Sequence, residues 1–434
     1  MRYERVDASL FVTNRKQFTK QMKPGSLAIF VSNDMVPRSA DATYKWRQDP
    51  DLYYLSGIDQ EQTFLILFPD APVAAWREIL FVRETNEHIK VWEGEKLSVA
   101  DAQFVSGIAN VVWNRQFDQL LHQLMSHTDT VYLNLNEHDR FSEVHVEYAS
   151  LRFARELQKK YPLHTVARSQ PILSSLRRCK SPLEIKMLQK AIDITDSAFR
   201  RLLRFVRPGV WEFEAEAELI HEYIRLRGTG HAYEPIIASG ENACILHYNQ
   251  NNKQCKTGDI MLIDSGAEYG LYNADLSRSI PISGRFTPRQ KAVYQSVLRV
   301  MKGARELMRP GITLNELNLE AGKMMEKELI HLKLLSKTDV KNQNPKLPAY
   351  KKYFPHGTAH FLGLDVHDVG DRFEKLRAGC VLTCEPGIYI PEEKLGIRLE
   401  NNILVTSGKP KDLMAHIPIE IEEIESLMAD NGKK

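Results

Sequence analysis

Asp264 closes the apolar run Ile260-Met261-Leu262-Ile263, and Asp275 follows it on the next β-type stretch. Glu385 closes Val381-Leu382-Thr383-Cys384 in the same manner, and Glu400 ends Ile397-Arg398-Leu399. A carboxylate at the end of a buried strand is costly unless it is paired or coordinated. If these acids converge, their mutual repulsion forces protonation unless cations neutralise them. Two divalent ions bring about +4 of charge, and ions paired roughly 3.5–4 Å apart bind a bridging hydroxide and polarise a carbonyl. Histidines supply the rest. His356 and His360 stand in His-Gly-Thr-Ala-His, His367 follows in Leu-Gly-Leu-Asp-Val-His, and His247 lies in Asn-Ala-Cys-Ile-Leu-His. A two-metal hydrolase uses one imidazole as a ligand and others to hold a tetrahedral intermediate or pass a proton to the leaving amine. Oxygen ligands with one imidazole suit manganese and accommodate zinc, cobalt or iron. Taken singly, Asp264 or Asp275 reads as a turn carboxylate, and Arg398 with Glu400 as a same-face ion pair on a strand. Their combination points to hydrolysis.

The elements that must position these residues form an internal echo. Ser181-Pro182-Leu183-Glu184 has an N-cap serine, a first-turn proline and a capping-box glutamate, so it opens a helix. That helix is expected to end at Arg207-Pro208-Gly209, with another starting near Glu212. Thr287-Pro288-Arg289-Gln290 repeats the cap, Arg309-Pro310-Gly311 repeats the break, and a further helix is expected near Leu314. Each helix pair precedes β-type sequence, at 259–264 and 272–282 in the first copy and at 380–390 and 396–406 in the second. Short connections imply antiparallel hairpins rather than crossovers. Two copies of helix–helix–strand–strand are expected to pack as a pseudo-symmetric sheet covered by helices, an α+β catalytic domain spanning residues 171–434.

Residues 1–170 mix strand patterns at 26–31, 63–68, 78–82 and 130–135 with helical ones at 115–125 and 143–160, which suggests an N-terminal α/β domain. The stretch 162–180 reads as the crossing between the two. A length of 434 residues favours two domains. Lys+Arg of 58 against Asp+Glu of 56 leaves a net charge of +2, which argues against nucleic acid or an anionic membrane as a partner. No run approaches the roughly 20 apolar residues of a membrane span, and the start MRYERVDASLF does not read as a signal peptide. The five cysteines, Cys179, Cys244, Cys255, Cys380 and Cys384, form no CxxC pair and read as free thiols, so a cytoplasmic location is expected.

The segments LIDSGAEYGLYNADLSRSIPISG, HGTAHFLGLDVHDVG, CEPGIYI and GIRLENNILVT resemble the pita-bread metallopeptidases, which include methionine aminopeptidase, prolidase and aminopeptidase P. The resemblance fills the family's metal positions with Asp264, Asp275, His360, Glu385 and Glu400. It implies that Asp264 binds one ion, that His360 and Glu385 bind the other, and that Asp275 and Glu400 bridge. It places His247, His356 and His367 near substrate, makes Arg398 a brace for the carboxylates and sets Tyr389 beside the ligands. Glu385 is the carboxylate expected to relay a proton. Upstream, residues 38–57 and Val91-Trp92-Glu93-Gly94-Glu95-Lys96 resemble the creatinase/prolidase-type N-terminal domain of aminopeptidase P. In that subfamily the tryptophan matching Trp92 helps close a neighbouring subunit's pocket, and a homodimer or homotetramer is implied. Asn401-Asn402 departs from relatives that often carry acids there, and is expected to tune the surroundings of the site. The activity implied is release of the N-terminal residue from peptides with proline second. The alternatives are a prolidase limited to Xaa-Pro dipeptides, and a metal-free pita-bread module that only binds peptides.

Overall fold

The structure, a computed structural model, describes residues 3–140 and 145–429. Two compact units divide it, Tyr3–Arg177 and a second beginning at Arg178.

The first unit is built on a six-stranded sheet in the order Val111–Trp113, Glu78–Val82, Phe64–Leu67, Ser26–Val31, Thr130–Leu133, Thr165–Arg168. Ser26–Val31 runs antiparallel to Phe64–Leu67 and parallel to Thr130–Leu133, so the sheet is mixed. Its central strand reads Ser-Leu-Ala-Ile-Phe-Val without alternation because every residue in it is buried. Leu27, Ile29 and Val31 pack on one face with Ile66, Phe81, Leu121, Leu124 and Leu157. The two expected helices form as Phe117–Met125, after a single 3₁₀ turn, and Ala149–Lys160. Residues 143 and 144, expected to begin the latter, lie outside the described residues. Helix Ala8–Thr19 was not anticipated; its N-cap Asp7 accepts from the Ser9 amide. In the stretch read as a crossing, Thr165–Arg168 forms an edge strand and Gln170–Arg177 a helix, and both belong to the first unit.

In the second unit the helix pairs form as Pro182–Phe205 with Glu212–Arg225, and Pro288–Leu307 with Leu314–His331. Ser181 with Glu184 and Thr287 with Gln290 both close reciprocal capping boxes. The strands depart from expectation in one respect. Each long hairpin is interrupted twice, and each interruption falls at a carboxylate. Ile260–Asp264 pairs with Ser277–Pro281, while Ala267–Tyr269 and Tyr272–Asn273 form a separate outer hairpin. In the second copy Val381–Cys384 pairs with Asn401–Leu404, and Gly387–Ile390 pairs with Leu395–Arg398. The physical causes differ. Pro386 has no N–H to continue a ladder, whereas at Gly266 the facing segment comes so close that a Cβ would lie 1.8 Å from the Ala274 carbonyl oxygen. Replacing Gly266 with alanine is therefore expected to cost about 3 kcal/mol, because backbone cannot yield as a side chain would. A urea midpoint equal to that of the parent protein would contradict this.

The copies are stitched together. The Glu400 amide donates to the Ser277 carbonyl at 3.1 Å and the Arg398 amide to Ser279 Oγ at 3.1 Å. Fully buried Arg278 donates to the Glu400 carbonyl at 2.7 Å, to Asn401 Oδ1 at 2.8 Å and to the Pro418 carbonyl at 2.8 Å.

Candidate metal centre

The strand interruptions turn Asp264, Asp275, Glu385 and Glu400 into one interior region. His360 joins them because its segment rides along Val381–Cys384: Leu362 N donates to Val381 O at 3.1 Å and Thr383 N to His360 O at 2.9 Å. His360 Nδ1 lies 2.9 Å from the Phe361 carbonyl, an acceptor only, so Nδ1 carries the hydrogen. The lone pair is thereby directed from Nε2, which faces Asp275 Oδ2 at 3.3 Å and Glu385 Oε1 at 3.6 Å. Ligand atoms of Asp275, His360 and Glu400 all lie within 4.8 Å of one another.

The acids are only partly satisfied by protein. Arg398 donates to Asp264 Oδ2 at 2.5 Å, to Ser277 Oγ at 2.9 Å and to the Tyr389 hydroxyl at 3.0 Å. Ser277 Oγ donates to Glu400 Oε2 at 2.7 Å, but Glu400 Oε1 is buried with no hydrogen-bond partner. The Tyr233 hydroxyl lies 2.6 Å from Asp264 Oδ1 and 2.5 Å from Asp275 Oδ1. One phenol proton cannot serve two carboxylate oxygens, so a further proton or cation is required between them. Burial, followed by the charges of Asp275, Glu385 and Asp264, pushes Glu400 well above the usual carboxylate range. Burial likewise raises Asp264 and takes Glu385 to about 7, with Arg398 pulling both down. Burial opposes charge on the His360 ring, but its contact with Asp275 and the charges of Glu385 and Asp275 raise its pKa. Oxygen donors crowded around an imidazole whose Nε2 faces them fit divalent cations, which would take the place of that ring proton.

The other anticipated residues fall at graded distances from this cluster. His356 donates from Nδ1 to the Gly357 carbonyl at 2.7 Å, so its Nε2 accepts the Tyr389 hydroxyl at 2.7 Å. Burial drives the His356 pKa down to about 3, with the Arg398 charge adding to the effect, so this ring stays neutral. The His367 ring stands edge-on to His360 with centroids 4.5 Å apart. His247 is exposed. Trp92, on helix Glu87–Glu93 of the first unit, is 76% exposed.

Several residues make supporting contacts that the sequence does not show. Tyr233 sits in an irregular segment with no motif around it. Asn402 clamps Asp275 through both backbone groups, accepting from its amide at 3.2 Å and donating to its carbonyl at 2.7 Å. Asn318 accepts from the Thr358 amide at 2.7 Å, bracing the stretch between His356 and His360.

Four carboxylates and an imidazole gathered on one interior region, shared between the halves of a duplicated unit, define a metal-dependent hydrolase. The chain belongs to metallopeptidase family M24, whose model matches residues 186–407, and the model for the aminopeptidase P N-terminal domain matches residues 11–132. It is 35% identical to the Xaa-Pro aminopeptidase of Escherichia coli K12, over 98% of each chain. Human Xaa-Pro aminopeptidase 3 is 30% identical over 95% of this chain and 83% of its own length. Among solved structures, zinc-substituted E. coli aminopeptidase P in complex with product superposes with a TM-score of 0.88 at 32% identity, covering 99% of this chain and all of that one. The same enzyme with the inhibitor Pro-Leu superposes with a TM-score of 0.89 at 32% identity, with the same coverage of both chains. None of the described helices is long and apolar enough to cross a membrane.

Proposed function

We propose that this chain is an Xaa-Pro aminopeptidase, a hydrolase that releases the first residue from peptides with proline second. Support comes from its family membership, from full-length similarity to proteins of that name, and from the buried acids. The observation that carries it is Glu400 Oε1, enclosed without a partner among other carboxylates.

In this reading Asp264, Asp275, His360, Glu385 and Glu400 would hold two divalent ions, Asp264 on the side of one and His360 with Glu385 on the side of the other. Manganese is the ion we assign, with zinc, cobalt and iron as workable substitutes. When bound, the pair supplies Lewis acidity and a nucleophilic water at neutral pH. The chain's own residues do the rest. Glu385 takes the proton of the attacking water and returns it to the leaving proline nitrogen. His367 and His247 hold the developing oxyanion. His356, kept neutral, lines the substrate side and receives the hydrogen of Tyr389. Arg398 fixes Asp264 and, through Ser277, Glu400. The free amine of the first residue is drawn to the acidic cluster, which makes the enzyme an exopeptidase. Proline is tolerated because its tertiary amide needs no N–H partner.

We assign the domains to 1–170 and 171–434, a boundary that falls seven residues ahead of the division between the compact units after Arg177. We place the enzyme in the cytoplasm as a homodimer or homotetramer, with Trp92 closing a neighbour's pocket.

The deciding experiment uses chelated protein reconstituted with manganese and offered Xaa-Pro-Xaa tripeptides and Xaa-Pro dipeptides. The tripeptide is expected to be turned over at least about 10-fold better in kcat/KM. A preference for the dipeptide would move the assignment to prolidase. Failure of the protein to retain manganese, zinc, cobalt or iron would remove hydrolysis altogether.

A further inference from the structure

Cys179 and Cys380 are 201 residues apart in sequence, yet their sulfurs lie 3.7 Å from one another. The two residues face each other in an isolated antiparallel bridge, and Lys180 N donates to Gly379 O at 2.8 Å. That bond joins the residue after Cys179 to the residue before Cys380, so the cysteines occupy a pair without mutual backbone hydrogen bonds. Cα atoms at such a pair are about 4.5 Å apart, inside the window of about 4.4–6.8 Å that a disulfide spans. Cys380 is buried and Cys179 is half-buried, so an oxidant reaches the pair through Cys179.

The surroundings separate Cys179 from the other thiols. Its pKa is lowered to about 6 by the hydrogen bond from Cys380 and, against burial, by the charges of Arg377, Arg178 and Lys180. Arg178 and Lys180 are themselves paired with Glu374 and Asp368. Burial drives Cys244 up to about 11, Cys255 up to about 12, and Cys384 upward as well. Only the thiolate is nucleophilic, so Cys179 is the one to react first.

We propose that Cys179 and Cys380 form a modification site at which hydrogen peroxide closes a reversible disulfide. The Cys179 thiolate attacks one peroxide oxygen; the O–O bond breaks, leaving a sulfenic acid and hydroxide, which takes up a proton. The Cys380 sulfur then attacks the sulfenic sulfur as its own proton departs. The S–O bond breaks, and the oxygen leaves as water with that proton. Two thiols lose two electrons and two protons, and one peroxide becomes two waters. The bond would clip the segment leading into Ser181, at the head of the first repeat, to the strand that runs into Glu385 in the second.

The test treats full-length protein with one equivalent of hydrogen peroxide, blocks remaining thiols by alkylation and maps peptides without reduction. A Cys179–Cys380 link, located by tandem spectra and abolished by dithiothreitol or by Cys179→Ser, is the expected result. The oxidised protein should also show a higher urea midpoint than the reduced protein, since a long loop is closed. Recovery of both residues alkylated, or of Cys179 as sulfinic acid beside alkylated Cys380, overturns the proposal. So does a midpoint that falls on oxidation, because the native geometry would then not accommodate the bond.

Discussion

Glu400→Gln should lower kcat/KM by about 10³-fold or more, the several kcal/mol that loss of a metal-bridging charge removes from the transition state. The same substitution should stabilise the protein once metal has been chelated, by about 1–2 kcal/mol. The opposite signs have one cause. Glu400 is buried among Asp275, Glu385 and Asp264, with Oε1 unpartnered, and these surroundings raise its pKa. A carboxylate whose folded pKa is raised penalises folding above its unfolded pKa and costs nothing below it. The neutral amide escapes that penalty, so its advantage in chelated protein should be absent near pH 4 and present at pH 7. With metal bound, the negative charge becomes the favourable partner and wild type should be the more stable. Thermal melts with and without chelator, beside metal analysis and a rate assay, measure all of this. A variant that melts lower in chelator and still turns over peptide at the wild-type rate would sink the reading of this cluster as a cation site.

Asp264 and Glu385 were legible in sequence because each ends an apolar run, where a carboxylate is costly without a partner; Asp275 and Glu400 were legible because they lie on the β-type stretches that follow, in a unit that the two capped helix pairs marked as duplicated. Their supports were not. Tyr233 is a lone hydroxyl in an irregular segment, and nothing local shows that two aspartates far along the chain will meet it. Asn402 was read as a departure from acidic relatives that tunes the surroundings of the site, but not how: its amide serves as donor and acceptor to the backbone of Asp275, which a carboxylate could not do. The interruptions at Gly266 and Pro386 were missed because residues on either side keep strand-like composition; the break is a matter of backbone clearance and a missing donor. In the first unit, Thr165–Arg168 escaped notice because its side chains are largely exposed and polar, leaving no periodic apolar signal. The Cys179–Cys380 pairing arises from tertiary contact alone, and spacing cannot reveal it.

Glu212 carries the second large effect, and it lies away from the acidic cluster. It opens helix Glu212–Arg225 and is fully buried. Its Oε1 accepts from Ser239 N at 2.7 Å, Ser239 Oγ at 2.6 Å and Asn242 Nδ2 at 3.1 Å. Its Oε2 accepts from the Tyr248 hydroxyl at 2.7 Å and Lys253 N at 2.9 Å. These donors, helped by the positive end of the helix, do for Glu212 what cations must do for Glu400. They also close both ends of the segment 239–253, which carries His247. Glu212→Ala leaves each donor buried without its acceptor, at about 1–3 kcal/mol apiece before water enters the space. We expect a loss of about 5 kcal/mol and a melting temperature roughly 10 °C lower. Glu212→Gln keeps the volume and one acceptor but turns an NH₂ toward other donors, so about 2 kcal/mol should be lost. At a temperature where that variant is fully folded, kcat should fall more than KM rises, because the segment bearing His247 is loosened while the acidic cluster is untouched. An alanine variant melting within about 2 °C of wild type would show that the network is not holding this segment.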